Sequence, residues 1–218
     1  HEMPYKSLWG RHSWLKVSFT PYSENGKVVG ANILVIDVTE DKETEELLKE
    51  MAQRDSLTRA YNRHVLETII PDRLEVTKDN DRISCIVVMD VDDFKDINDQ
   101  YGHRDGDKVL QYLAMRVKQE LREEDLIVRT GGDEFLLYLH DIRDEDNAKI
   151  FVDRIYKKIT GSYRLKDDFN EDPQNLEVSL SIGVAFYPKD GDDIFQLMSK
   201  ADQALYRVKR SGKSDYHM

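Results

Sequence analysis

The chain reads as a mixed α/β (α+β) fold built on a mostly antiparallel sheet with helices packed on it. Three observations carry that expectation. Strand-like and helix-like segments alternate from Asp55 onward. Two strand-like runs, Leu126-Ile127-Val128 and Phe135-Leu136-Leu137-Tyr138-Leu139, flank Arg129-Thr130-Gly131-Gly132-Asp133-Glu134, whose paired glycines can supply the positive φ of a tight hairpin. Hairpin strands inside such an alternation favour antiparallel pairing over a doubly wound parallel sheet.

Taken in order, residues 13–38 come first. Leu15, Val17 and Phe19 alternate, and Ser23-Glu24-Asn25-Gly26 turns the chain into a second strand over Lys27–Val38. About forty residues bury little alone, so residues 1–40 are expected to be part of a larger β domain or an appendage. Residues 41–54 are the link. The stretch Thr39–Arg54 is a strong helix former with acids in its first turns and a thin stripe of Leu47, Leu48 and Met51. A solvated connector and a short coiled-coil signalling helix both fit it. Residues 55–218 are the main domain. Asp55 or Ser56 is placed to cap a helix carrying Leu57, Tyr61, Val65, Leu66 and Ile69. Ile83–Val91 follows as a buried strand, and Asp107–Leu121 as an amphipathic helix through Val109, Leu110, Leu113 and Val117. After the hairpin come a helix over Asp144–Ile159, a strand at Val178–Phe186 and a last helix over Asp193–Lys209.

At 218 residues there is room for one large domain, or for one domain plus part of another. Hydrophobic content of 39% with 9% aromatics supports a packed core. The 43 acids against 32 bases leave a net charge of −11, which argues against a nucleic-acid polymer as partner. A single nucleotide remains compatible, because a metal and a few lysines can meet its charge. The one cysteine, Cys85, lies in the apolar run Ile83–Met89 and is expected in the core. It permits no disulfide framework, in keeping with a reducing compartment. No apolar run approaches the roughly 20 residues of a membrane span, and no signal peptide is visible. The expectation is a cytoplasmic protein making no membrane contact here, with an upstream membrane anchor left open.

Chemistry concentrates in two places. Asp133 and Glu134 stand at the hairpin tip, where the bare glycines let a ligand approach backbone. Alone, this is an ordinary solvated turn. A second acidic site gives it weight: the buried strand ends Met89-Asp90-Val91-Asp92-Asp93-Phe94-Lys95. An acid directly after Ile-Val-Val-Met is costly to desolvate without a partner. Asp93 reads as a helix cap. If the strand neighbours the hairpin, Asp90, Asp133 and Glu134 converge as hard oxygen ligands suited to magnesium and a substrate phosphate. Beyond lies Asn98-Asp99-Gln100-Tyr101-Gly102-His103-Arg104-Asp105-Gly106-Asp107, read as a glycine-broken loop on which Asn98 and Asp107 can meet a base edge.

These residues together resemble the GGDEF domain of bacterial diguanylate cyclases. The resemblance runs through Asp55-Ser-Leu-Thr-x-x-x-Asn-Arg, Asp90-x-Asp-x-Phe-Lys-x-Ile-Asn-Asp-x-x-Gly-His-x-x-Gly-Asp, Arg-x-Gly-Gly-Asp-Glu-Phe, Ser181-Ile-Gly-Val-Ala and Ala201-Asp-x-Ala-Leu-Tyr-x-x-Lys-x-x-Gly-Lys, across roughly residues 52–215. The chain departs from the family at Ala60-Tyr61, where Gly-Leu is usual, and at Lys213, usually arginine. The segment ending Gly30-Ala-Asn-Ile-Leu-Val-Ile-Asp-Val-Thr-Glu resembles the last strands of a PAS sensor domain and its exit into a signalling helix.

The resemblance implies a palm-like, ferredoxin-related fold and condensation of two GTP into cyclic di-GMP with release of pyrophosphate. Asp90, the Val91 carbonyl, Asp133 and Glu134 would hold magnesium, or manganese in its place. Asp133 would accept the ribose 3′-OH proton, and Lys95 would stabilise the transferring phosphoryl. Gly131, Gly132, His103, Lys209 and Lys213 would contact the nucleotide, and Asn98 and Asp107 would read guanine. Two domains, each holding one GTP, would have to face each other in a homodimer. Arg122-Glu-Glu-Asp125 reads on its own as a solvated pair at a helix end, but its offset matches the family's product-binding inhibitory site. A decayed nucleotide receptor would lack Asp90, Asp133 or Glu134, and a cyclase of other specificity would differ at Asn98 or Asp107. All five residues are present.

Overall fold

The structure is a computed structural model that describes residues 1–7, 10, 12–79, 82–165, 174–212 and 215–217. It divides into two compact units, His1–Ala52 and Gln53–Met218.

In the first unit β1 (Glu2–Lys6), β2 (His12–Glu24) and β3 (Lys27–Asp37) form an antiparallel sheet in that order, followed by α1 (Thr39–Ala52). The β2–β3 turn falls on Asn25-Gly26, within the expected stretch; β1 was not expected. At the strand-to-helix exit, Asp37 Oδ1 accepts from the Thr39 backbone N–H, and Thr39 Oγ1 accepts from the Trp14 N–H at 2.8 Å.

The second unit is a six-stranded sheet between two layers of helices. Its elements are β4 (Tyr61–Asn62), α2 (Val65–Thr68), α3 (Ile70–Asp79), β5 (Ile83–Val91), α4 (Phe94–Tyr101), α5 (His103–Lys118), β6 (Leu126–Gly131), β7 (Glu134–Ile142), α6 (Glu145–Ile159), β8 (Gly161–Leu165), β9 (Gln174–Val178), β10 (Leu180–Tyr187), α7 (Ile194–Ser211) and β11 (Tyr216–His217). The strand order is β11-β10-β5-β7-β6-β4. The four inner strands are antiparallel, as expected, and the short outer strands β4 and β11 run parallel to their neighbours. Strands β8 and β9 form a separate hairpin.

The apolar run in β5 reflects burial on both faces. Val87 and Met89 pack with Leu110, Leu113, Phe135 and Ile155 on one side of the sheet. Ile86 and Val88 pack with Leu66, Ile70, Leu136 and Leu197 on the other. Cys85 is fully buried, as expected, and burial pushes its thiol pKa up. Asp144 and Asp193 cap α6 and α7 by accepting backbone N–H groups of the first turn.

Two expectations are corrected. No helix starts at Asp55. Its Oδ1 accepts both the Thr58 N–H (2.8 Å) and the Thr58 hydroxyl (2.7 Å), closing a turn that Arg59 leaves in a left-handed conformation (φ +59°). Tyr61 then joins β4 and the helix waits until Val65. The stretch Asn98–Asp107 is not a loop but the end of α4 and the start of α5, parted only at Gly102. Its polar residues are exposed or half-buried positions at the end of one helix and the start of the next.

Candidate active site at the β5 end and the hairpin tip

The register of β5 sets the first contact. Asp90 lies in the middle of the sheet, opposite Glu134 on β7 and Ser181 on β10. It is 9% exposed, and Lys209 of α7 reaches its Oδ1 at 2.7 Å. Burial raises the Asp90 pKa; Lys209 opposes the shift, and Asp133 and Asp92 add to it. Glu134 is raised too, first by burial, then by Asp90, Asp202 and Asp133. Asp202, seven residues before Lys209 on α7, is itself raised by burial. It went unremarked in the sequence, although two turns of helix put it on the Lys209 face.

The hairpin turns on Gly132-Asp133. Gly132 carries the positive φ (+51°), while Gly131 stays in β6 beside a register shift. Only one of the paired glycines therefore serves the left-handed turn. Arg129 holds the tip closed. Its Nε and Nη2 donate to the Gly132 carbonyl at 3.0 and 2.7 Å, and its Nη1 donates to Asp55 Oδ1 at 3.0 Å. Burial works against a charged Asp55, but hydrogen bonds from Thr58 and Arg129 outweigh it and keep its pKa low. Neither residue was among the candidates. Their signal was their place in two motifs, and their contact spans 74 residues.

Asp92 is a structural tie: its carboxylate accepts from the Ser179 and Ser181 hydroxyls at 3.0 and 2.6 Å. Asp93 stands at the N-cap of α4 but accepts no capping hydrogen bond. Its left-handed backbone (φ +53°) departs from the extended geometry from which a cap side chain reaches back, so the expected cap is absent. Lys95 is exposed on the first turn of α4. Asn98 lies against α5 where it meets α4: Gly106 is so close that a Cβ there would collide with Asn98 Oδ1, and Asp107, the next residue of α5, is exposed. His103 is exposed at the start of α5. Lys213 lies outside the described residues.

Arg122 and Asp125 lie apart from this cluster. Asp125 is 9% exposed, not a solvated surface acid as its position at a helix end implied. Its oxygens accept the backbone N–H groups of Arg122 and His140, each at 3.0 Å. Burial raises its pKa against those two bonds. Arg122, Asp125, His140, Asn147, Phe151 and Arg154 line a pocket of about 170 Å³. Arg154, on α6, was not anticipated.

Among the described residues no three His, Cys, Asp or Glu side chains form a ready metal cage. The donor set nonetheless fits a hard cation. Asp90 and Glu134 are held opposite each other with raised pKa values, and Lys209 supplies the compensating charge. A cation sharing its shell with substrate phosphate would relieve that repulsion. Among the described residues, no helix is long and apolar enough to cross a membrane.

Residues 52–215 match the family model described as "Diguanylate cyclase, GGDEF domain". The bifunctional diguanylate cyclase/cyclic di-GMP phosphodiesterase MucR of Pseudomonas aeruginosa is 34% identical over 169 residues, covering 78% of this chain and 24% of MucR. Diguanylate cyclase TpbB of the same organism is 36% identical over 166 residues, covering 76% of this chain and 37% of TpbB. The crystal structure of the TpbB GGDEF domain aligns with a TM-score of 0.68 at 34% identity, covering 73% of this chain and 96% of that one. The GGDEF domain of DgcB from Caulobacter crescentus, solved in complex with c-di-GMP, aligns with a TM-score of 0.68 at 25% identity, covering 76% and 95%. The chain thus spans about a quarter to two fifths of these curated relatives, and GGDEF domains alone align almost end to end with its second unit. With a mostly antiparallel palm-like sheet, the acids at the β5 end and the Gly-Gly-Asp-Glu-Phe hairpin, the chain belongs to the GGDEF domain family of diguanylate cyclases.

Proposed function

We propose that this chain condenses two GTP molecules into cyclic di-GMP and pyrophosphate. The observation that carries the reading is the meeting of Asp90, Glu134 and Lys209 beside the Gly132-Asp133 turn, in which Gly132 is exposed and Asp133 half-buried. Phosphoryl transfer asks chiefly for positioning and charge neutralisation, which acids and lysines on rigid elements can provide. Asp133 accepts the proton of the ribose 3′-OH, whose oxygen attacks the α-phosphate of the facing GTP in line with the departing pyrophosphate. Lys95 offsets charge on the transferring phosphoryl, and Lys209, Lys213, His103 and the Gly131-Gly132 backbone hold the nucleotide. Asn98 and Asp107 accept and offer hydrogen bonds along guanine; adenine, lacking N1–H, would leave the carboxylate unpaired. Asp90, the Val91 carbonyl, Asp133 and Glu134 would hold magnesium, or manganese in its place, and a bound ion would supply further charge neutralisation at the phosphates.

Each domain holds one GTP, so two copies face each other for turnover. The pocket of Arg122, Asp125 and Arg154 binds the product and slows the enzyme, a reading supported by two guanidinium groups suited to phosphodiesters. The upstream unit resembles the end of a sensory domain whose state is passed on through α1.

The test is incubation with GTP and magnesium, with products resolved by mass. Asp133→Ala should lower turnover at least a hundredfold, about 3 kcal/mol in barrier. The fold should survive, because Asp133 is a half-buried turn residue outside both core clusters. A folded Asp133→Ala variant with near-normal turnover would overturn the assignment.

A further inference from the structure

Strand β5 ends at Val91 and Asp93 is already left-handed (φ +53°), so the chain leaves the sheet at Asp92. Asp92 is tied to the start of β10 through both backbone and side chain. Its N–H donates to the carbonyl of Ser179, just ahead of β10, at 3.0 Å. Its Oδ2 accepts from the Ser179 hydroxyl at 3.0 Å, and its Oδ1 from the Ser181 hydroxyl at 2.6 Å. Asp92 is 5% exposed and Ser181 is fully buried.

These bonds also orient the residue before. In a trans peptide the carbonyl of one residue points opposite to the N–H of the next. The Asp92 N–H points to the β10 side, so the Val91 carbonyl points the other way, to the β7 side. There the ladder has just ended. Asp90 faces Glu134, the first residue of β7, and one step further the position opposite Val91 falls on Asp133 of the turn. The Val91 carbonyl is therefore aimed past the last rung, on the side of the hairpin acids. A carboxylate side chain can rotate to meet an ion, but a main-chain carbonyl turns only with its peptide plane. Turning this plane would break the Asp92 N–H bond and pull the carboxylate away from both serines.

We propose that Asp92, held by Ser179 and Ser181, is a positioning residue for the metal: it locks the Val91–Asp92 peptide plane so that the Val91 carbonyl is presented to a cation shared with Asp90 and the hairpin acids. The inference rests on the magnesium reading of this site. Partners that orient a ligand from behind set metal affinity almost as strongly as the ligands themselves. The hydroxyls of Ser179 and Ser181 thus matter to the metal even where the Asp92 charge is kept.

The test follows magnesium binding to protein loaded with a GTP analogue carrying a methylene between its α- and β-phosphates, which cannot turn over. Calorimetry gives the affinity, and HNCO spectra read the Val91 carbonyl through the Asp92 amide. In the parent, magnesium should shift that carbonyl. Ser179→Ala combined with Ser181→Ala removes both hydroxyls and keeps the carboxylate. It should bind magnesium about tenfold more weakly, with a smaller carbonyl shift, while metal-free binding of the analogue is unchanged. Ser181→Ala alone, which keeps the Ser179 bond and serves if the pair fails to fold, should lose several-fold. A merely structural tie would lower stability and leave magnesium affinity and the carbonyl shift as they are. Serine variants that bind magnesium as the parent does would overturn the role of Asp92 and leave the metal site standing. So would a Val91 carbonyl that stays put while magnesium shifts the Asp90 and Glu134 carboxyl signals. Magnesium that moves none of these groups would overturn the metal reading and this inference with it.

Discussion

Glu134 faces Asp90 across the β5–β7 ladder, with Asp133 beside it and Asp202 approaching from α7. Like charges opposite each other weaken a sheet, and burial raises the Glu134 pKa further. A carboxyl whose folded pKa lies above its unfolded one binds more protons in the folded state. Stability therefore falls as pH rises through the window between the two values, and the penalty stays above it. In metal-free protein, Glu134→Gln should accordingly raise stability at neutral and alkaline pH, by less than about 1 kcal/mol because the side chain is exposed. The gain should fade once acid protonates the parent carboxyl. Urea unfolding in EDTA across pH is the check; a variant less stable than the parent at neutral pH would show that Glu134 makes a compensating contact.

The α4–α5 junction argues at the scale of an element. Gly106 occupies a helix position where alanine would ordinarily gain up to about 1 kcal/mol. A Cβ there meets Asn98 Oδ1 and, less tightly, the Phe94 ring. The first of these is the tip of a short polar side chain, which can swing away at little cost, so Gly106→Ala should change stability by no more than about 1 kcal/mol. What moves is the amide assigned to guanine, so KM for GTP should rise several-fold in a folded variant. Unchanged KM would place guanine recognition elsewhere. The same region shows why some elements were legible and others were not. The hairpin and β5 announce themselves through local signals, a Gly-Gly turn and an unbroken apolar run. Helix α4 has one fully buried residue, Ile97, and ends at Gly102, so its polar face reads as loop. Arg129 carried motif membership but no visible role, and Asp55 read only as a helix cap, because their joint bracing of the hairpin is a contact no local pattern encodes. Asp125 read as an exposed acid because one of the two backbone donors that occupy it, the His140 N–H, comes from β7, fifteen residues away.

At the scale of the whole molecule, the two units differ in what holds them. Among the described residues, the two core clusters of the second unit are built from Leu57 onward. The first unit leaves Phe19 on β2 and Val28, Ile33 and Leu34 on β3 between 58% and 69% exposed, whereas the second unit has two buried clusters of its own. Residues 53–218 alone should therefore melt in one cooperative transition. The proposed reaction needs two GTP-loaded domains face to face, since the attacking hydroxyl and the attacked phosphate belong to different nucleotides. For residues 53–218 at concentrations where sedimentation shows monomer, each active complex is a chance encounter, and turnover per molecule should fall in proportion to dilution. Arg122→Ala should be included, so that accumulating product does not disguise the trend. Turnover per molecule that stays constant over a hundredfold dilution of a sedimenting monomer would mean that one domain completes the chemistry alone, and the facing-domain mechanism would have to be abandoned.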